Sequence, residues 1–138
     1  MVAPATRFVG ERVPWRSGRS RAHYRVPVPT LFEKIIAREI PADFVHEDER
    51  CVAFRDINPQ APLHLLVVPR KPIATLNDLE PGDAELIGHL FLVAGQVARA
   101  EGHDAYRTVF NCGAGAGQEV FHLHLHVLAG RPMTWPPG

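Results

Sequence analysis

At 138 residues the chain has the length of one ordinary domain, enough to bury a core and too short for two substantial ones. Its 15 basic and 15 acidic residues cancel, so bulk charge gives no reason to expect nucleic acid or an anionic membrane as the partner. No stretch approaches the roughly 18 to 20 apolar residues of a membrane span, and Cys51 and Cys112 make no CxxC pair; a cytoplasmic protein without a disulfide framework is expected.

The opening is biased toward arginine: six of the 13 arginines fall in the first 25 residues, where Glu11 is the only acid. With Pro4, Pro14, Pro27 and Pro29 and few consecutive apolar residues, residues 1–29 read as a disordered tail. Ser17 and Ser20 in that setting leave a second reading open, a transit peptide that would place the protein in an organelle matrix.

After the tail, Thr30 in "TLFEKIIAREIP" suits an N-cap with Glu33 as its capping-box partner, and Leu31, Phe32, Ile35 and Ile36 recur at helical spacing up to Pro41. "DFVHED" and "CVAFRDI" read as a hairpin turning at Asp48, Glu49 and Arg50. "LHLLVVP", Leu63 to Pro69, is an apolar run of strand length between prolines and fits a central strand. Leu86, Leu90, Val93 and Val97 mark a long amphipathic helix, with Pro81 in its first turn and Gly102 just past its end. "YRTVFN" is a further strand, "CGAGAGQE" a glycine-rich loop, and "FHLHLHVL" a fifth strand before the non-helical tail "GRPMTWPPG". This order predicts an α+β fold, a five-stranded antiparallel sheet with one long and one short helix.

The fifth strand carries the chemistry. Alternation at period two sets His122, His124 and His126 on one face and Phe121, Leu123, Leu125 and Val127 on the other. Metal ligation by all three is strained, because the outer two lie about 13 Å apart along an extended chain. A neutral imidazole is a good nucleophile toward phosphorus when one ring nitrogen is held protonated, and His124 has a neighbouring histidine on each side to bond phosphate oxygens. An incidental row of solvent-facing histidines is the bland alternative, and strict threefold alternation weighs against it.

The loop of Gly113, Gly115 and Gly117 is either an anion-binding nest of N–H groups or a flexible connection. Asn111 bonds a phosphate or sugar oxygen, or makes a turn. Asp56 fits either the two hydroxyls of a ribose or a cap on the next turn. His64 opens the central strand, and Phe32, Ile35, Phe54 and Ile57 offer an apolar slot for a flat base.

Together these residues resemble the histidine-triad (HIT) superfamily, whose signature of three alternating histidines and two apolar residues runs here from His122 to Leu128. Residues 30–138 are similar to its Hint branch through "DINPQAPLHLLVVPRK", "GHLFLVA", "GQEVFHLHLHVLAGRPM" and "WPPG". That resemblance implies a purine nucleoside phosphoramidase that hydrolyses the P–N bond of AMP- or GMP-amine conjugates through a nucleotidyl-histidine. It implies a homodimer, with no cofactor, metal, nucleic-acid or membrane partner. By motif, His124 is the nucleophile, His122 and His126 orient it and contact phosphate, and His64 supports them. Asp56 holds the ribose; Leu31, Phe32, Ile35, Phe54 and Ile57 line the purine slot; Asn111, Gly117, Glu119 and Val120 lie on the phosphate side; Trp135 reaches the partner's site. Relatives carry Ser or Thr where this chain has Glu119, a departure that bears on rate and leaving group. The alternatives are a dinucleoside polyphosphate hydrolase or nucleotidyl transferase of the same superfamily, and a nucleotide-binding interaction module with little catalysis.

Overall fold

A computed structural model describes residues 28–138, so the expected tail lies outside the described residues except for Val28 and Pro29. Thr30 caps as its position predicts: its Oγ1 accepts the Glu33 N–H at 3.2 Å and opens helix α1, Leu31–Ile36. Only this half of the expected capping box forms, because the Glu33 carboxylate lies 4.0 Å from His122 Nδ1 instead. The helix stops at Ala37, well before Pro41, since Arg38 turns left-handed at φ 64°. The Arg38 guanidinium stacks 3.5 Å over the Phe44 ring and bonds Glu47 at 2.7 Å, contacts that offset the strain.

Strands β1, Phe44–Glu47, and β2, Cys51–Arg55, form the expected hairpin. Asp48 fixes its turn, with Oδ1 accepting the N–H groups of Arg50 and Cys51 at 2.7 and 2.8 Å. Strand β3, Leu63–Pro69, is buried throughout. Helix α2, Ala84–Ala100, follows a 3-10 turn at Pro81–Asp83 and is capped by Glu101, after which Gly102, with a φ of 87°, suits the turn out. Strands β4, Tyr106–Val109, and β5, Leu125–Ala129, complete one antiparallel sheet of order β1-β2-β3-β5-β4. The fold is therefore the expected α+β, with β3 central.

The sheet buries both faces. On one, Ala53, Leu65, Val67, Leu125 and Val127 pack against Leu90, Val93, Ala94, Val97 and Ala98 of α2. Burying each large aliphatic side chain there contributes about 1.5–3 kcal/mol. Leu86, expected in that stripe, is only half-buried; Ala94 and Ala98 take its place, small enough to bring the helix close to the sheet. On the other face Val52, Phe54, Leu66 and Val68 pack against Phe32 and Ile35 of α1.

The histidine strand is shorter than its alternation predicts, pairing only from Leu125. The β3–β5 register, continued backward, would set Leu123 against Pro69. Pro69 has no N–H for the ladder, and its carbonyl instead takes the His122 ring at 2.7 Å. The Leu123 N–H turns to the Ile73 carbonyl at 2.7 Å. His122 and His124 thus lie on an irregular lead-in to β5. Among the described residues, no helix is long and apolar enough to cross a membrane.

Candidate active site

His126 stands opposite Leu66 in the ladder, which places it on the α1 face of the sheet. The same face receives His122 and His124: the Phe32 ring meets them edge-on with centroids 6.4 and 4.8 Å away. His64, at the start of β3, bonds His126. One face therefore gathers all four histidines singled out from the sequence, although of the triad only His126 does so from within a regular strand.

The hydrogen bonds fix which nitrogen carries each proton. His124 Nδ1 lies 2.8 Å from the His122 carbonyl and must donate, which leaves its Nε2 as a bare lone pair. A second chain starts at the Gln60 N–H, which donates to His64 Nδ1 at 3.0 Å. The proton of neutral His64 is then on Nε2, where it faces His126 Nδ1 at 2.8 Å. His126 in turn must carry its own proton on Nε2. The arrangement presents one nitrogen that can attack and, beside it at a ring-centroid distance of 5.0 Å, one N–H that can donate.

All four rings are held toward the neutral form. Burial lowers the pKa of His122 and His124, against the carbonyl bonds that favour their cations. Burial, with His124 and His64 close by, brings His126 down to about 4. Burial also lowers His64, opposed by the charge of Asp56. His124 is 9% exposed, and His122 Nδ1 is the one fully buried side-chain nitrogen or oxygen without a hydrogen bond among the described residues. The unbonded Nε2 of His124 therefore reaches the surface.

The remaining predicted residues divide. Asp56 caps the next turn, with Oδ1 accepting the Asn58 N–H at 2.8 Å, while its Oδ2 lies 3.4 Å from His64 Nε2. Phe32, Ile35 and Phe54 are core residues, with Phe32 and Phe54 in edge contact at 5.7 Å; Val120 packs against them. Leu31 and Ile57 instead stand out at 44% and 97% exposure. Asn111 adjoins Gly117, whose positive φ of 92° excludes most side chains. Glu119 and Trp135 are exposed, and no hydrogen bond or ring contact ties either to the histidines among the described residues.

Of the two readings left open for the glycine loop, the anion nest is not supplied by these N–H groups. The N–H groups of Gly113, Ala116, Gly117 and Gln118 are all bonded within the loop, which is a closed 3-10 turn. Gln118, which sequence reasoning passed over, holds it. This buried side chain accepts the Gly113 N–H at 2.8 Å and donates to the Ala74 and Val120 carbonyls at 2.7 and 3.0 Å. A polar pair, Gln118 and Glu119, between Gly117 and the apolar run from Val120 was the available signal.

Comparison with known proteins agrees with this geometry. The HIT domain family matches residues 37–133. An uncharacterised HIT-like protein of Synechocystis is 56% identical over 110 residues, covering 79% of this chain and 96% of that protein. A 14 kDa zinc-binding protein of Zea mays is 50% identical over 113 residues, covering 80% and 88%. The crystal structure of a HIT family hydrolase from Legionella pneumophila superposes with a TM-score of 0.77 at 55% identity, covering 78% of this chain and 98% of that one. With its triad of histidines on this fold and matches of that extent, the chain belongs to the HIT domain family.

Proposed function

We propose that the protein is a hydrolase of the Hint branch, a cytoplasmic purine nucleoside phosphoramidase that cleaves AMP- or GMP-amine conjugates. The observation that carries this reading is the fixed tautomer of His124, whose Nδ1–H is held by the His122 carbonyl at 2.8 Å and whose Nε2 is free.

That lone pair attacks phosphorus, the P–N bond breaks, and the amine leaves with one proton taken up. The nucleotidyl-imidazole is a cation, and its Nδ1–H bond to the carbonyl strengthens as that charge develops. Water then attacks phosphorus, the P–Nε2 bond breaks and one proton is released, so the two steps balance to hydrolysis. His126 Nε2–H bonds a phosphoryl oxygen through both steps. The base covers exposed Leu31 and Ile57 over the Phe32–Phe54 edge, and Asp56 Oδ2 takes a ribose hydroxyl. The protein acts as a homodimer, in which exposed Trp135 completes the partner's site.

Turnover of an AMP-amine conjugate against a diadenosine polyphosphate tests the substrate class. Faster cleavage of the conjugate is expected; preference for the polyphosphate assigns the other branch, and binding of AMP without turnover of either assigns an interaction module.

A further inference from the structure

A second set of donors converges on the other face of the sheet, at the β1–β2 turn. His46 on β1 pairs with Ala53, a residue of the α2-side core, and its Nε2 lies 2.6 Å from Asp48 Oδ2. His89 on α2 brings its own Nε2 to the same oxygen at 2.7 Å. Beneath them Cys51, fully buried, places Sγ 3.5 Å from that oxygen. The ligand atoms of His46, Asp48 and Cys51 all lie within 4.8 Å of one another. The side chains of His46, Asp48 and His89 are about a quarter exposed, so a solute reaches them from outside.

The turn itself needs none of this, because Asp48 caps it through Oδ1 alone. Oδ2 is left as a focus for two imidazoles and a thiol. Two nitrogens, one carboxylate oxygen and one sulfur make a donor set of the zinc type. In a tetrahedral zinc site with Zn–S near 2.3 Å and Zn–O near 2.0 Å, sulfur and oxygen sit about 3.5 Å apart, the separation found here. The nitrogens must open from their hydrogen-bond distances to about 3.3 Å from the oxygen, and the His89 ring, which lies outside the group of ligand atoms within 4.8 Å of one another, must also swing in from α2 toward His46 and Cys51.

We propose that His46, Asp48, Cys51 and His89 form a binding site for Zn²⁺ that clamps the β1–β2 hairpin to α2, on the sheet face away from the triad. On binding, each imidazole coordinates through Nε2 and carries its proton on Nδ1. The Cys51 thiol loses its proton to solvent and ligates as thiolate. Asp48 keeps its turn bonds through Oδ1. The site is independent of the phosphoramidase reading and unlike the one weighed from the sequence, which considered a metal only on the histidine run.

Cobalt titration of the metal-free full-length protein, followed by displacement with Zn²⁺, tests this. One equivalent of Co²⁺ should bind, with the intense visible bands of a tetrahedral site and a sulfur-to-cobalt charge-transfer band. Zn²⁺ should bleach both and raise the thermal midpoint. His46→Ala and His89→Ala should each weaken binding by about tenfold or more and leave turnover unchanged. Cys51→Ser should lose the charge-transfer band alone. His126→Ala should leave cobalt binding and both bands as in the wild type, although Asp56, His64 and His126 also bring ligand atoms within 4.8 Å. Failure to retain cobalt, retention by the His46→Ala/His89→Ala double variant, or loss through His126→Ala overturns the proposal. Should a variant unfold, the wild type decides by NMR: Zn²⁺ must move the imidazole signals of His46 and His89, and shifts confined to His64 and His126 overturn it.

Discussion

The two faces of the sheet each hold a group of histidines, mostly buried on the α1 face and part-buried on the α2 face, and satisfy them in opposite ways. On the α1 face every acceptor available to His124 is a single backbone carbonyl, so one nitrogen is bound and the other is left over. On the α2 face His46 and His89 both find the same carboxylate oxygen, and the nitrogens that point inward are paired. Desolvation alone would raise the Asp48 carboxyl, but bonds from His46, the Arg50 N–H, His89 and the Cys51 N–H hold it well below the usual carboxylate range. The lesson is that reactivity here depends less on imidazole than on what the neighbouring backbone does with its first nitrogen.

The sharpest way to break this contrast is to remove one histidine from each group. His124→Ala should lower kcat/KM by about a thousandfold or more while AMP still binds, and His89→Ala should leave it unchanged; a steady-state assay of both reads the difference. Core packing comes next. Leu65, fully buried against α2, should cost about 2–5 kcal/mol when cut to Ala in urea denaturation, with the residual activity per folded molecule retained. His64→Leu removes the donor that sets the His126 tautomer and should cost about 10- to 100-fold in kcat with little change in KM.

The smallest effect is on stability against pH. Burial lowers the folded-state pKa of His64, His122 and His124, and takes His126 to about 4, below the unfolded value of about 6.5. The unfolded chain therefore binds more protons between these limits. Stability should be fully present above about pH 6.5 and fall as the pH drops toward 4. Urea midpoints at a series of pH values check the sign; replacing His126 with Leu should flatten the slope.

Much of this was legible beforehand, for identifiable reasons. β3 and α2 announced themselves because their apolar spacing matches the period of the element that forms. Thr30 and Gly102 marked ends through cap chemistry. The triad's shared face was readable from alternation, yet the strand's start was not, because Pro69 acts across the sheet from 53 positions away. The same holds for Gln118, which reaches back to Ala74, and for Asp48, which meets His89 across 41 positions. The anion nest failed for a different reason: glycine permits the conformation without deciding whether its N–H groups are already bonded. Leu86 lost its core place to small residues because helix-to-sheet distance is set by the whole interface.

The central claim, a free Nε2 on neutral His124 meeting phosphorus, is tested most directly by rapid base quench of the protein during turnover of an AMP-amine conjugate, with the adduct located by mass spectrometry. A nucleotidyl group on His124, stable in base and labile in acid as a phosphorus–nitrogen bond should be, is the predicted result. Turnover at full rate with the group on another residue, or from a His124→Ala protein, contradicts the account.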